Sequence, residues 1–297
     1  MTMASRHIAI IAPSGYANDQ VAYLRGLQHL RDLGHQVHDF TATNARYQRF
    51  AATDAERLAQ LHAAAKHPDV EWVIALRGGY GLSRLLPDID FDLLAKSGKR
   101  FIGHSDFTAI HMGLLTQHAV SFAGPMICDD FSRADVSEFT HSHFWKALSS
   151  SSFEVTTKAS GNPVMECEGK LWGGNLALLT HLVGTRWMPK IQQGILFVED
   201  INEHPYRIER MMLQLLHSGV LQNLQTIIFG DFSGYKLTDY DNGYDFAAML
   251  AYLRQQIQVP ILSGLPFGHV RDKLTLPVGA HCRLTSNAEE FILHLSV

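Results

Sequence analysis

Three side chains far apart in the chain, Ser105, Glu199 and His269, are the types that together let an alcohol attack an acyl carbon. A serine hydroxyl is a weak nucleophile near neutral pH unless a base takes its proton, and histidine titrates in that range. The imidazole in turn needs a carboxylate to hold its tautomer and stabilise its protonated form. Position supports each choice. Ser105 lies in Gly103-His104-Ser105-Asp106-Phe107, after the short apolar run Phe101-Ile102-Gly103 and before Phe107, Ile110, Leu114 and Leu115 at helical spacing. At such a strand-to-helix corner a hydroxyl projects from the sheet edge, and the helix N-terminus favours negative charge. The pattern is that of a G-x-S-x-G nucleophile elbow lacking its second glycine. Glu199 ends the run Ile195–Val198 and is aimed at a sheet edge. His269 follows Gly268 in a Gly/Pro-punctuated loop.

Plainer roles exist for all three. A Ser-Asp pair after a strand serves as a helix N-cap. A carboxylate after a strand caps the next helix, a task open also to Asp200 or Asn202. A lone loop histidine is most often simply exposed. The order Ser, acid, His also occurs in α/β-hydrolases, but triads arise by convergence and order is weak evidence. Gly78-Gly79-Tyr80-Gly81 adds permissive backbone able to turn N–H groups toward an anion, or to form only a tight turn. The Lys-Ser/Thr step of a P-loop is absent.

The elements that must position these residues follow from periodicity. His7–Ala12 is an apolar, β-rich run ending at the turn Pro13-Ser14-Gly15. Asn18 or Asp19 caps a helix with Val21, Leu24, Leu27 and Leu30 on one face, and Gln36–Phe40 is the next strand. Thr53-x-x-Glu56 is a capping box ahead of Leu58, Leu61 and Ala65. Trp72–Leu76 is a strand running into Arg77-Gly78-Gly79-Tyr80-Gly81. This alternation implies a parallel sheet with helices on both faces and a ligand site beyond the carboxyl ends of its strands. The serine run 149–152 is the candidate linker, dividing the chain into domains 1–150 and 151–297. Downstream, Phe153–Thr157 and Met165–Leu171 alternate like exposed edge strands. Leu176–Val183, Tyr206–Leu216 and Phe246–Ile257 read as helices, Ile195–Glu199 and Thr226–Phe229 as strands, and the segment from Lys273 as two or three antiparallel strands. Asp231, Asp239, Asp241 and Asp245 do not match a calcium loop and read as a solvated segment.

Composition narrows the class. A chain of 297 residues fits two domains. Apolar content of 46% with 18% charge is that of an ordinary globular protein, and a net charge of -4 offers no basic footprint for nucleic acid. The histidines are scattered, without an H-E-x-x-H helix motif. Cys128, Cys167 and Cys282 form no C-x-x-C, which fits a reducing compartment. The run Ile8–Ala12 is too short for a signal-peptide core, and no membrane-length apolar stretch exists. The cytoplasm is the expected location, with no membrane partner.

The chain resembles the LD-carboxypeptidases, serine peptidases of the S66 type. The matching pieces are APSGY at 12–16, RGGYG at 77–81, GHSDFTA at 103–109, GP at 124–125, LWGGNL at 171–176, EDINEHPYRIERM at 199–211 and GLPFGH at 264–269. They span nearly the whole chain in the family's order. The resemblance implies an α/β fold, with a flavodoxin-like N-terminal domain and a smaller β-rich α/β C-terminal domain, usually as a homodimer. It implies a triad of Ser105, Glu199 and His269, an oxyanion hole from backbone amides at Gly79 and Asp106, and no metal or cofactor. The implied reaction removes the terminal D-alanine from a muropeptide tetrapeptide. Asn175, Glu203 and Tyr80 are the candidates for substrate contact, Glu203 through the diamino acid's ammonium group. The substrate carboxylate calls for a donor that sequence does not rank among Arg77, Arg84, Arg207 and Arg271. Two alternatives remain: the microcin-immunity branch of the same family, which cleaves a peptide-nucleotide, and a non-catalytic module holding an anion on RGGYG.

Overall fold

The computed structural model describes residues 4–41 and 45–297. They form two compact units, Met1–Leu148 with Leu274–Leu276, and Ser149–Lys273 with Pro277–Val297. The sequence places the division at 150/151 and gives the whole C-terminal segment to the second domain. The short buried run Leu274–Leu276 instead counts with the first.

The first unit runs β1 (His7–Ile11), α1 (Gln20–Asp32), β2 (Gln36–Asp39), α2 (Asp54–Lys66), β3 (Trp72–Ala75), α3 (Leu82–Leu85), α4 (Phe91–Lys96), β4 (Arg100–Gly103), α5 (Thr108–Thr116), β5 (Ser121–Ala123) and α6 (Glu138–Ser149). The strands pair in parallel in the order β2-β1-β3-β4-β5, the doubly wound order of flavodoxin. β3 is wholly buried and β1 nearly so, which is why they read as continuous apolar runs rather than alternating ones. Asp19 caps α1 by accepting the Ala22 N–H at 2.9 Å. The buried face of α1 is Tyr23, Leu27 and Leu30, whereas Val21 and Leu24 are 72% and 56% exposed, contrary to the sequence reading. At about 100° per residue, Val21 stands on the far side of the helix from Tyr23 and Leu24 on its flank. The Thr53–Glu56 capping box on α2 is formed in both directions.

Arg57, on α2, is fully buried. Its guanidinium donates to the Pro13 carbonyl and to the Gly81 carbonyl at 3.2 Å, and pairs with Asp54 at 2.5 Å. One buried cation thereby ties the turn after β1 to the glycine-rich loop after β3.

The second unit contains β6 (Ser152–Lys158), β7 (Met165–Asn175), α7 (Leu176–Leu182), β8 (Gly194–Ile201), α8 (Pro205–His217), β9 (Leu224–Ser233), α9 (Phe246–Gln256) and β10 (Ile261–Ser263). After β11 (Leu276–Val278), which joins the first sheet beside β5, come β12 (His281–Ser286) and β13 (Glu290–Ser296). The sheet order is β10-β9-β8-β7-β12-β13-β6, parallel from β7 to β10 and antiparallel across β12, β13 and β6. β6 is the alternating edge strand foreseen from sequence. β7 is not an edge: its first half pairs with β12 and alternates, while Leu171–Asn175 is buried on both faces beside β8. The acidic segment is also more than solvated loop. Asp241 accepts the Thr238 N–H at 2.7 Å and lies 3.1 Å from His204, and Asp245 caps α9. Among the described residues no helix is long and apolar enough to cross a membrane.

Candidate active site

In the first unit the chain leaves β4 at Gly103, passes His104 in extended conformation, and turns at Ser105 with φ +60°. A non-glycine residue held there stores about 1–3 kcal/mol of backbone strain, the mark of a nucleophile elbow. Ser105 opens a one-turn 3₁₀ segment, Ser105–Phe107, with His104 at its N-cap position. The position that would hold the second glycine is Phe107, and it explains the first. A Cβ at Gly103 would fall 2.3–2.7 Å from the Phe107 side chain, so that ring folds back over a glycine it requires. Below the corner lies His111, fully buried on α5. Its Nε2 is 3.2 Å from the Gly103 carbonyl and its Nδ1 is 2.8 Å from the Ser121 hydroxyl. Those partners assign the proton to Nε2, which donates to Gly103, and leave Nδ1 to accept from Ser121. Burial pushes this imidazole down to about 4, against a weaker upward pull from the Gly103 carbonyl.

Gly78 joins the second loop to the serine. A Cβ there would lie 2.8 Å from Ser105 Cβ, 3.1 Å from the His104 carbonyl oxygen and 3.2 Å from Ser105 Oγ. Gly79 follows with φ +94°, a conformation that suits glycine. Tyr80 is half exposed beyond it. The RGGYG loop and the serine corner are thus one surface at the carboxyl ends of β3 and β4.

In the second unit the register does the positioning. Asn175 ends β7 directly beside Glu199 on β8. The β8–β9 pairing slips between Val198 and Asp200, and such irregularities re-aim side chains near sites. As a result one amide reaches two consecutive carboxylates: Asn175 Nδ2 is 3.3 Å from Glu199 Oε1 and 3.0 Å from Asp200 Oδ1. Asn175 Oδ1 accepts the Leu178 N–H at 3.1 Å, capping α7. Asp200 also accepts from the Ala177 and Ile201 amides, both at 2.9 Å. Burial first, and the neighbouring Glu199 charge second, push Asp200 up to about 6 despite these hydrogen bonds.

Glu199 is completely buried, and its Oε2 lies 2.8 Å from His269 Nδ1. With Nδ1–H donating to the carboxylate, Nε2 is the acceptor and the basic atom of the ring. Burial pushes the imidazole down, but the hydrogen bond and charge of Glu199 outweigh it and hold His269 above its ordinary value. Asp200 adds to the rise and Lys273 opposes it. The loop bearing His269 is pinned to β9, where the Asp231 amide donates to the Phe267 carbonyl at 2.8 Å. A Cβ at Gly268, where φ is +149°, would strike Asp231 at 2.8 Å. The cap of α8 is His204, not Asp200 or Asn202, and so the Glu-Asp pair is spared that work. Glu203 lies apart from this network and faces Arg207 at 3.5 Å.

An acid-oriented histidine and a strained serine elbow are the parts of a serine hydrolase, and comparison with known proteins specifies which. The LD-carboxypeptidase N-terminal domain model (peptidase family S66) matches residues 8–124 and the corresponding C-terminal domain model matches 168–284. A probable murein peptide carboxypeptidase of Bacillus subtilis is 31% identical, with 98% of this chain and 92% of that protein covered. The chain belongs to the LD-carboxypeptidase family. It is accordingly a serine carboxypeptidase by family and by fold. The crystal structure of a muramoyltetrapeptide carboxypeptidase from Oxalobacter formigenes superposes with a TM-score of 0.94 at 52% identity, covering 98% of this chain and 99% of that one. A more distant family member, the microcin C7 self-immunity protein of Escherichia coli, is 26% identical over 86% of this chain and 85% of its own length.

Sequence reasoning missed two members of the site. Asp200 was legible only as the neighbour of Glu199, because the strand irregularity that turns it toward Asn175 leaves no local mark. Gly78 offers only loop freedom in the sequence, whereas in the fold it is the close contact of Ser105.

Proposed function

We propose that this chain releases the terminal D-alanine from muropeptide tetrapeptides in peptidoglycan recycling, through Ser105 as nucleophile, His269 as base and Glu199 as the residue that orients it. The observation that carries the reading is the Glu199–His269 pair, set with Nε2 as the basic atom, in a chain so similar throughout to the Oxalobacter muramoyltetrapeptide carboxypeptidase. His269 Nε2 takes the Ser105 proton as the oxygen attacks the carbonyl before D-alanine. Backbone amides at Gly79 and Asp106 receive the oxyanion, each such donor being worth about 3 kcal/mol in related chemistry. The same nitrogen then protonates the departing amine, and water attacks the acyl-enzyme with His269 again as base.

Substrate contacts are assigned on exposure and engagement. Glu203, part-exposed four residues past Glu199, offers a carboxylate to the diamino acid's ammonium group in exchange for Arg207. Tyr80 offers an exposed ring beside the serine loop. Asn175, a substrate candidate on sequence, is 4% exposed and hydrogen-bonded to Glu199, Asp200 and the Leu178 amide, so we give it a positioning role instead. A cytoplasmic homodimer completes the proposal; the three cysteines, all free, support the reducing compartment.

The test is incubation of disaccharide tetrapeptide and its all-L isomer with the enzyme and with Ser105→Ala, following alanine by mass spectrometry. Release from the natural isomer alone, abolished by Ser105→Ala, is expected. Release from both isomers, or from neither, overturns the reading. Cleavage of a peptide-nucleotide with the tetrapeptide untouched would assign the chain to the microcin-immunity branch.

A further inference from the structure

A carboxypeptidase must recognise a free carboxylate one residue beyond the bond it cuts. Consecutive α-carbons are only about 3.8 Å apart, so the receptor for that anion has to lie next to the nucleophile. The first unit offers such a place among its described residues. A cavity of ≈ 230 Å³ opens between the turn after β1 and the loop after β3, lined by Gly15, Tyr16, Arg49, Arg77, Gly78 and Tyr80 among others. β1 and β3 flank the point where the strand order reverses, which is where doubly wound sheets bind ligands. The wall shared with the nucleophile is Gly78, whose missing Cβ would stand 3.2 Å from Ser105 Oγ.

Two guanidinium groups face this cavity, and neither is spent on an acid among the described residues. Arg77 packs against Gly15 and is 3.4 Å from the Tyr16 carbonyl, and Arg49 lies 5.8 Å from the Tyr80 ring centre. Two of the other candidates are already engaged: Arg84 pairs with Asp54 at 2.7 Å and Arg207 with Glu203 at 3.5 Å. A planar guanidinium matches a carboxylate with two parallel hydrogen bonds, and a second cation beside it raises the local preference for an anion.

We infer that Arg77 and Arg49 form the receptor for the terminal carboxylate of the departing residue, and so make the enzyme an exopeptidase. This rests on the LD-carboxypeptidase reading and deepens it. Arg77 holds the carboxylate and Arg49 closes over it from the exposed side, with Tyr80 as the cover.

The experiment uses the Ser105→Ala protein, which holds substrate without turning it over, and calorimetric titration with tetrapeptide ending in a free acid or in a primary amide. The acid should bind about 10- to 100-fold more tightly than the amide, the range for a charge-assisted hydrogen-bonded pair. Adding Arg77→Gln should erase most of that difference, and Arg49→Gln, at an exposed position that does not threaten folding, part of it. Arg77→Lys should restore some preference for the acid. In the active enzyme the same substitutions should lower kcat/KM for the acid and leave the amide nearly unchanged. An acid-to-amide ratio untouched by both substitutions, or equal losses on both peptides, overturns the receptor and makes Arg77 a brace for its loop. Failure of the Ser105→Ala protein to bind either peptide overturns the functional reading and this inference with it, whereas binding without acid preference overturns the receptor alone.

Discussion

Gly78→Ala separates the stability of this fold from the placement of its nucleophile. Gly78 is not among the residues with positive φ, so alanine meets no backbone penalty there. The added methyl instead would lie 2.8 Å from Ser105 Cβ, where carbon atoms settle at about 3.5–4.0 Å. One of the two segments must yield by roughly 1 Å, and a misplacement of that size costs about 100-fold in rate when it falls on a reacting group. Overpacking of this kind costs about 1–3 kcal/mol of stability. Gly34→Ala is the control: φ is +89°, nothing lies within 4 Å, and the penalty is backbone strain without contact to Ser105. The expected pattern is two variants of similarly modest thermal destabilisation, of which only Gly78→Ala loses kcat/KM for tetrapeptide, by about two orders of magnitude. If Gly78→Ala retains kcat/KM within about threefold of the parent, the claim that this loop sets the position of Ser105 is wrong.

Further outcomes follow from the same geometry. Ser105→Ala and His269→Ala should each remove most of kcat, and the double variant should add little to either, since the two act as one unit; additive losses in single-turnover kinetics would contradict this. As the proposed base, His269 must be neutral to act, and it sits above its ordinary value, so kcat/KM should fall as pH drops through that raised pKa. Stability from its charged pair with Glu199 is full below the unfolded value and lost as pH rises through the folded one. Asp200 helps raise His269, and Asp200→Asn should therefore move the acid limb of the pH–rate profile to lower pH; an unmoved or upward-moving limb would refute the coupling. His111, held at about 4, contributes stability that is complete above the unfolded pKa of 6.5 and lost as pH falls toward 4. The loss is about 3 kcal/mol at one pKa unit per 1.36 kcal/mol. Urea midpoints measured from pH 7 to 4.5 should decline less steeply in His111→Gln.

The chain's periodicity carries most of the first unit, because parallel strands buried on both faces leave apolar runs and the Thr53–Glu56 box marks its own helix. Its limits are instructive. Val21 and Leu24 have the composition of a core face but the wrong angles, since hydrophobicity alone does not fix which side of α1 meets the sheet. β7 alternates in its first half like an edge strand although β12 covers it, because burial there depends on a partner more than 100 residues downstream. The chemically distinctive residues were readable as types: Ser105 at a strand end, Glu199 after four apolar residues, His269 beside a glycine. What sequence does not encode locally is the slip between β8 and β9 that brings Glu199 and Asp200 to one amide. Arg49 likewise carries no signal of its own, in a loop that gains meaning only beside the cavity after β3.

The three residues Leu274–Leu276 have a consequence for biosynthesis. They belong to the unit that carries Ser105, yet they are reached only after the chain has left that unit and run through Lys273 of the other. A ribosome that has delivered residues through Leu148 has therefore made a sheet whose β5 margin still lacks its neighbour, and a bare margin of this kind invites pairing with another chain. Fragments that end near the linker should accordingly aggregate more readily than the full chain.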